Sequence, residues 1–270
     1  MVVFGRRFKY LLRKVCRMTI SHDVAGSGPA LVLLHSGVCD RRMWDAQAPA
    51  LIDAGYRLVR CDFRGFGQTA AAGGPHSDAE DVLELLDALG IGQAALVGAS
   101  YGGQVTLEIA ARWPGRVSAM VLVCSALPGH EPGPALEAVG EREDALLEAG
   151  DIAGAVELMA DTWLGPDADE AAREAVHLMQ RHAFEVQLAA EEFEPIEAEF
   201  DLGTIEAPCL ALSGGHDLAD FRRIAARLPD LLSDARHLEL PWAGHLPSLE
   251  RPSVVTDLLL GFLRERLPAH

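Results

Sequence analysis

Short apolar runs alternate with longer amphipathic stretches along most of the chain. The runs hold four to eight residues, as expected for strands buried on both faces of a parallel sheet. The longer stretches have apolar residues every three or four positions, which is the spacing of helices. This alternation predicts an α/β domain with a mostly parallel sheet and helices on both faces. The predicted strands are residues 20–24, 30–34, 56–61, 94–97, 117–124, 209–212 and 237–240.

The pattern changes between residues 127 and 204, where no strand-like run occurs and the spacing is helical throughout. We therefore expect a core made of residues 18–126 and 205–270 that is interrupted by a helical insertion at 127–204. A turn cluster at 25–29 separates the first two strands, so the chain is expected to open with a strand pair. The predicted helices are residues 43–54, 78–89, 142–149, 152–163, 168–192, 218–228 and 253–267, with a further one that follows Ser100 and stops at Trp113.

Ser100 lies in a polar turn between a predicted strand and a predicted helix. The surrounding residues Gly98-Ala99-Ser100-Tyr101-Gly102 fit the Gly-x-Ser-x-Gly pattern, in which a sharp turn exposes a serine hydroxyl at the end of a sheet. The same turn places the Tyr101 amide at a helix N-terminus, where free N–H groups favour negative charge. The alternative is a tight connection with a capping serine, and a downstream histidine and acid would decide between the two.

Both groups occur downstream, each after a predicted strand. Asp217 follows the strand after the insertion, and His245 lies between the last strand and the last helix. The order Ser100, Asp217, His245 is the one expected when the turn carries the nucleophile of an acyl-transfer enzyme. Because serine is a weak nucleophile, it needs a base such as His245, and an acid such as Asp217 fixes the imidazole tautomer. Asp217 could instead be a turn residue, and His237 is the alternative base.

Three further stretches strengthen the pattern, and with them the chain from about residue 19 to 267 resembles the α/β-hydrolase superfamily. It is most similar to the esterase and lactonase branch with a helical cap, such as proteins like 3-oxoadipate enol-lactonase. The stretches are Leu34-His35-Ser36-Gly37 with a tryptophan downstream, the Asp-x-Arg-Gly-x-Gly-x-Thr loop at 62–69, and Gly-His-x-x-x-x-Glu-x-Pro at 244–252.

The resemblance implies an eight-stranded, mostly parallel sheet, an insertion that acts as a cap, and a set of site residues. No cofactor and no metal ion is expected. Ser36 replaces the usual glycine of its loop, which leaves open whether Gly37 or Val38 supplies the second oxyanion amide. The implied site residues are Ser100, Asp217 and His245 for catalysis, Tyr101 with Gly37 or Val38 for the oxyanion hole, and Trp44, Tyr101 and His35 for substrate binding.

Net charge argues against polyanionic partners, because the 270 residues carry a formal charge of −17. Nucleic acid and membranes are therefore not expected to bind, and the partner is a small-molecule substrate. Residues 1–17 differ, with six positive charges and no acid. We expect them to be a basic extension, disordered or preceding a natural start at Met18. Between residues 131 and 199, nineteen acids accompany three arginines, which disfavours a strongly anionic substrate.

Cysteine usage indicates a reducing compartment. The five cysteines are widely spaced, odd in number and free of Cys-x-x-Cys pairs, so neither disulfides nor a zinc site are predicted. Cytoplasmic localisation follows as the expectation, with a monomer or homodimer as the assembly.

Neutral esters or lactones are the predicted substrates of this site. Carbon–carbon bond hydrolysis and cofactor-free perhydrolysis use the same triad and stay open, as does a non-catalytic ligand receptor of the same fold. A dinucleotide site is excluded: the glycine motif at 90–95 follows a helix and opens a strand, the reverse of the required order.

Overall fold

A seven-stranded sheet forms the centre of the computed structural model, which describes residues 20–191, 196 and 198–267. The strand order is β1-β3-β2-β4-β5-β6-β7, with β1 antiparallel to β3 and every other pair parallel. The predicted mostly parallel α/β sheet is confirmed. The basic extension predicted at residues 1–17 lies outside the described residues. The strands are β1 (His22–Ala25), β2 (Ala30–Leu34), β3 (Arg57–Cys61), β4 (Ala94–Ala99), β5 (Val117–Val123), β6 (Cys209–Gly214) and β7 (Ala235–Leu240).

Helices cover both faces of the sheet. Along β2, Leu31 and Leu33 join the core on one face, and Val32 and Leu34 join the core on the other, as the two-residue period of a strand requires. Helices α1 and α9 pack on the first face, and α2 and α3 on the second. The helices are α1 (Ala48–Asp53), α2 (Asp78–Ala88), α3 (Tyr101–Arg112), α4 (Pro134–Glu148), α5 (Ile152–Trp163), α6 (Glu170–Leu188), α7 (Ala219–Leu231), α8 (Pro247–Glu250) and α9 (Pro252–Arg266).

The first two strands do not pair with each other, so the predicted opening strand pair is wrong. β1 pairs with β3, and β2 lies between β3 and β4. The turn after β1 explains the difference. Gly26 and Gly28 both have positive φ, and a Cβ on either would lie 2.3 Å from the carbonyl oxygen of Tyr56 or Gly55. The turn is thus packed against the start of β3.

Three further features differ from expectation. The described sheet has seven strands where eight were expected, and seven is the number of apolar runs in the sequence. The predicted helix at 43–54 is divided into a 3₁₀ turn, Arg41–Trp44, and α1. The first helix of the insertion begins earlier than predicted, at Pro134, because proline is favourable in the first turn of a helix.

Helices α4, α5 and α6 lie between β5 and β6 in the chain and pack in that order, α4 on α5 and α5 on α6. The end of α5 is joined to the core, since the His245 amide donates to the Trp163 carbonyl oxygen at 2.8 Å. On α6, His182 contacts the Gly67 carbonyl oxygen at 2.7 Å. Among the helices of the described residues, we find none with the length and apolar character needed to span a bilayer.

The turn from β4 into α3 depends on glycine because backbones approach closely there. A Cβ at Gly98 would lie 2.2 Å from the Gly102 carbonyl oxygen and 2.4 Å from Thr106 Oγ1. A Cβ at Gly102 would lie 2.6 Å from the carbonyl oxygens of both Leu34 and His35. Helix α3 can therefore rest on the end of β2 only while both positions lack a side chain.

Replacing Gly98 with alanine is expected to lower the free energy of unfolding by about 3 kcal/mol, because the new methyl group overlaps backbone that cannot move away. Guanidinium chloride unfolding measures the change. Gly92→Ala is the matched control, since a Cβ there meets no atom within 4 Å and its φ is not positive, so its change should stay within about 0.5 kcal/mol. Equal stabilities of the two variants would contradict the close-packing argument.

Candidate active site

Ser100 stands between β4 and α3 in an unusual backbone conformation, with φ 49° and ψ −113°. A positive φ is strained for a residue other than glycine and is typical of functional turns. The turn is held by its own backbone: the Ser100 amide donates to the Val123 carbonyl oxygen at 2.9 Å. The Ser100 carbonyl oxygen accepts from the amides of Gly103 at 2.9 Å and Ala126 at 3.0 Å. The strand-to-helix turn predicted from the sequence therefore has the expected form.

His245 and Asp217 meet although 27 residues separate them in the chain. His245 Nδ1 lies 2.8 Å from Asp217 Oδ2, and both side chains are almost fully buried. Asp217 Oδ1 also accepts the Leu218 amide at 2.7 Å. Because a carboxylate only accepts hydrogen bonds, the proton of a neutral His245 ring lies on Nδ1, which leaves the Nε2 lone pair free.

The Ser100 turn and the His245–Asp217 pair are held by the same short segment at the end of β5. Val123 accepts the Ser100 amide, and the next residue, Cys124, has its thiol within 4.8 Å of both the Asp217 carboxylate and a His245 ring nitrogen. Within the described residues, neither the Ser100 hydroxyl nor His245 Nε2 has a hydrogen-bond partner. Asp217 and His245 thus form a buried pair, and Ser100 follows β4 at the same edge of the sheet, without a hydrogen bond to His245 in the described structure.

Two aromatic rings enclose the imidazole. The Trp163 ring, at the end of α5, lies 4.6 Å from the His245 ring, and the Phe221 ring of α7 lies 4.3 Å from it. The two aromatic rings also contact each other, at 5.6 Å between centroids. This packing fixes the plane of the imidazole and keeps water away from the Asp217 contact. Nothing in the sequence pattern pointed to these two residues, because aromatic side chains at helical spacing are usually core.

Gly37 lies beside Tyr101, as an oxyanion site would need. A Cβ placed on Gly37 would be 3.7 Å from Tyr101 Cβ. The Val38 amide is directed at its own loop, 3.5 Å from Ser36 Oγ. Among the backbone hydrogen bonds of turns, loops and helix caps in the described residues, none is donated by the amide of Gly37 or of Tyr101. Gly37 therefore lies next to Tyr101, and which of Gly37 and Val38 supplies the second amide stays a prediction.

Two of the three residues predicted to bind substrate have structural contacts instead. His35 is fully buried, with Nδ1 2.8 Å from the Ser36 carbonyl oxygen and Nε2 accepting the Phe63 amide at 3.0 Å. Burial lowers its pKa, so the ring is neutral and both nitrogens are used by the backbone. Trp44 is also fully buried, within the core cluster. Neither side chain is available to a substrate.

Tyr101, the third predicted contact, directs its hydroxyl away from the Ser100 turn. The hydroxyl donates to Asp78 Oδ2 at 2.6 Å, and burial raises the pKa of both groups. The ring packs edge-on against Phe63 at 5.4 Å. The side chain therefore anchors Tyr101 at the start of α3, next to Ser100. His237, the alternative base, lies on β7 and contacts Ser213 Oγ at 2.8 Å, so it does not replace His245.

Glu250 is a buried residue of the site whose role the sequence did not reveal, although the carboxylate belongs to the motif at 244–252. Both of its oxygens accept the Gly244 amide at 3.0 Å, and one accepts the Leu246 amide at 3.3 Å. Burial raises its pKa, while the amides of Gly244, Gly165 and Leu246 oppose that rise. Glu250 thus holds the residues on both sides of His245, and also Gly165, the second residue after the end of α5.

Comparison with known proteins gives a consistent picture. A family model described as alpha/beta hydrolase fold matches residues 29–163. The RutD protein of Variovorax paradoxus, named as a carbamate hydrolase, is 31% identical over 259 residues, which cover 91% of this chain and 96% of RutD. A hydrolase from Pseudomonas aeruginosa is 31% identical with a TM-score of 0.72, over 90% of this chain and 94% of that one. The enol-lactonase of Burkholderia xenovorans is 26% identical with a TM-score of 0.72, over 90% and 96%.

Replacing Glu250 with glutamine is expected to lower the free energy of unfolding by about 1 to 3 kcal/mol at pH 7. The reason is that a side-chain amide cannot accept from all the backbone N–H groups that converge on the carboxylate, so a buried donor is left unpaired. Denaturant unfolding measures the loss. The matched control is Glu265→Gln, which removes a half-exposed ion pair with Arg236 and should change stability by less than about 0.5 kcal/mol. A loss no larger than the control's would contradict the anchoring role.

Proposed function

The chain belongs to the α/β-hydrolase family, and on that premise we propose that it is a serine hydrolase that cleaves a small to medium, neutral carboxylic ester or lactone. Ser100 is the nucleophile, His245 the general base and acid, and Asp217 the group that orients His245. The observation that carries the proposal is the buried 2.8 Å contact between His245 Nδ1 and Asp217 Oδ2, at the sheet edge that also carries Ser100.

The reaction follows from where the proton lies on His245. With Nδ1–H held by Asp217, Nε2 takes the proton of the Ser100 hydroxyl as its oxygen attacks the substrate carbonyl carbon. The imidazolium that forms is stabilised by the Asp217 carboxylate and returns its proton to the leaving alcohol. An ester of Ser100 remains, and water repeats the sequence with His245 as base to release the acid.

Negative charge on the carbonyl oxygen is stabilised by two backbone amides, those of Tyr101 and Gly37. The Tyr101 amide is at the N-terminus of α3, where the helix dipole adds to the hydrogen bond. The neighbouring position of Gly37 supports its amide as the second donor. Each such donor contributes about 3 kcal/mol to the stability of the transition state. The Tyr101 hydroxyl bond to Asp78 keeps the first donor in place.

The helical insertion acts as the cap of the site in this proposal. It provides Trp163 against the His245 ring, and Phe221 from the core closes the other side. An apolar wall favours uncharged substrates and strengthens the electrostatic interactions of the reacting groups. The cavity beside Tyr101, of about 1050 Å³, has the carboxylates Asp78, Glu108 and Glu199 in its lining. Ser100, Asp217 and His245 are not among its lining residues, and the charge that opposes an anionic substrate is that of the insertion, with nineteen acids and three arginines between residues 131 and 199.

Carbamate hydrolysis is the second candidate function, because the similarity to RutD extends over 96% of that protein. The same nucleophile, base and oxyanion amides would serve, because the Ser100 oxygen would attack the carbonyl carbon of a carbamate as it attacks that of an ester. A carbamate therefore belongs in the substrate panel, beside neutral esters, lactones and thioesters of graded size. The similarity to an enol-lactonase favours lactones within that panel.

Ser100→Ala is expected to lower kcat/KM on the best neutral ester or lactone by about 10⁴-fold or more, because no other hydroxyl can form the acyl-enzyme. Initial rates with purified protein measure it, without added metal or nucleotide. The matched control is Ser118→Ala at the other end of β5, a serine whose hydroxyl has no hydrogen-bond partner in the described structure. Equal rates for wild type and Ser100→Ala would leave a non-catalytic receptor as the better description.

A comparison of kcat/KM between a neutral ester and an anionic ester tests separately whether the substrate is uncharged. Dimethyl succinate and monomethyl succinate present the same methyl ester, but the second also carries a carboxylate. The diester is expected to have at least about tenfold higher kcat/KM at low salt, because the excess of acids in the insertion, at residues 131–199, repels an anion. The difference should narrow as added salt screens the repulsion. Preference for the monoanion at low salt would contradict the assignment of a neutral substrate.

A further inference from the structure

Cys124 forms a cluster with Asp217 and His245 that the reaction above does not use. One ligand atom from each, the thiol sulfur, a carboxylate oxygen and a ring nitrogen, lie within 4.8 Å of one another, and all three side chains are buried. Cys124 follows β5 with φ 47°, a conformation that few residues other than glycine adopt. Its amide donates to the Leu212 carbonyl oxygen at 2.8 Å, so the backbone that directs the thiol is fixed.

The three donors suit a soft divalent cation. Cysteine sulfur and histidine nitrogen are the preferred ligands of zinc, and a carboxylate oxygen completes many such sites. Zinc bonds of about 2.0 to 2.3 Å at tetrahedral angles place ligand atoms roughly 3.3 to 3.6 Å apart. To reach that geometry, the 2.8 Å distance between His245 Nδ1 and Asp217 Oδ2 would have to lengthen and the distances to the Cys124 sulfur, at most 4.8 Å, would have to shorten, by rotation of the Cys124 and Asp217 side chains beside the fixed imidazole.

We propose that Cys124, Asp217 and His245 bind zinc or a similar thiophilic cation, and that occupancy of this site blocks hydrolysis. The cation bonds the Cys124 thiolate, an Asp217 oxygen and His245 Nδ1. The thiol proton goes to solvent, and the ring proton moves from Nδ1 to Nε2. A ring that carries its proton on Nε2 cannot take one from Ser100. The metal therefore inactivates the base by fixing the opposite tautomer.

Cys124 differs from the other described cysteines in what surrounds its thiol, which donates to the Gly244 carbonyl oxygen at 3.8 Å and would give up that contact on binding a metal. Cys39, Cys61 and Cys209 are also buried free thiols, and burial raises the pKa of all of them, that of Cys209 to about 12. Within the described residues, only Cys124 belongs to a group of three or more metal-ligating side chains. Cys209→Ala is therefore the matched control, because it removes a buried thiol that has no such neighbours.

The binding experiment titrates the full-length protein with Cd²⁺, whose thiolate complexes absorb in the near ultraviolet, and then displaces it with Zn²⁺. Wild type and Cys209→Ala are expected to gain the absorption with one equivalent of Cd²⁺ bound through Cys124, and Cys124→Ala to lack that increment. Asp217→Asn keeps the thiol and should bind at least about tenfold more weakly, which guards against a poorly folded Cys124→Ala. A wild type without the absorption, or a Cys124→Ala protein that keeps all of it, overturns the site.

The inhibition experiment rests on the proposed function, whereas the binding experiment does not. Zn²⁺ is expected to slow ester hydrolysis by wild type and Cys209→Ala, with recovery on adding a chelator. In Cys124→Ala, the zinc concentration for half-inhibition should rise at least about 100-fold relative to that protein's own metal-free rate. Equal inhibition of Cys124→Ala, or binding with no inhibition, overturns the proposed block. If metal-free wild type hydrolyses nothing, the proposed function fails, and the Cd²⁺ result alone decides the metal site.

Discussion

The contact between His245 and Asp217 joins the ends of two different strands in a place that water does not reach. A buried carboxylate is costly unless it is paired, and the pair is useful only if its geometry is fixed. The chain fixes it from several sides. A Cβ on Gly214 would lie 1.8 Å from the Gly244 carbonyl oxygen, so the end of β6 and the His245 loop fit together only while position 214 has no side chain. Glu250 then holds the backbone amides on both sides of His245.

The need to keep this geometry fixed also limits how far the segments that carry Ser100, Asp217 and His245 can move relative to one another. Ser100, Asp217 and His245 belong to separate segments, yet the segments share β5 and its continuation at Val123 and Cys124. A shift of one segment therefore changes the contacts of the others. Stability near the site comes from backbone contacts at glycines and from amides that converge on one carboxylate. Because these interactions weaken steeply with distance, a displacement of a few tenths of an ångström is enough to weaken them.

Much of this could be predicted from the sequence, because burial and turn chemistry leave local signals. The apolar runs predicted the strands. The Gly-x-Ser-x-Gly turn, together with an acid and a histidine after later strands, indicated which edge of the sheet carries the candidate site. Pairing partners left no such signal: an apolar run shows that a strand is buried, not which strand lies beside it, so β1 was misplaced. The hydrogen-bond partners of polar side chains could not be predicted from the sequence for the same reason. His35 and Glu250 both bind backbone amides, and only the folded chain brings those amides to them.

Access to the site is limited by how the insertion is attached. The end of α5 is bonded to the His245 loop. The Trp163 carbonyl oxygen accepts the His245 amide at 2.8 Å, and the Trp163 ring packs against the imidazole at a tilted angle of 44°. A Cβ on Gly165 would lie 2.4 Å from Glu250 Oε2. Moving this part away would break the contacts that fix the imidazole. Helix α4 is different, since none of its residues is buried. A displacement of α4, whose Leu136 and Val139 are only partly buried, would therefore leave the contacts between α5 and the His245 loop intact.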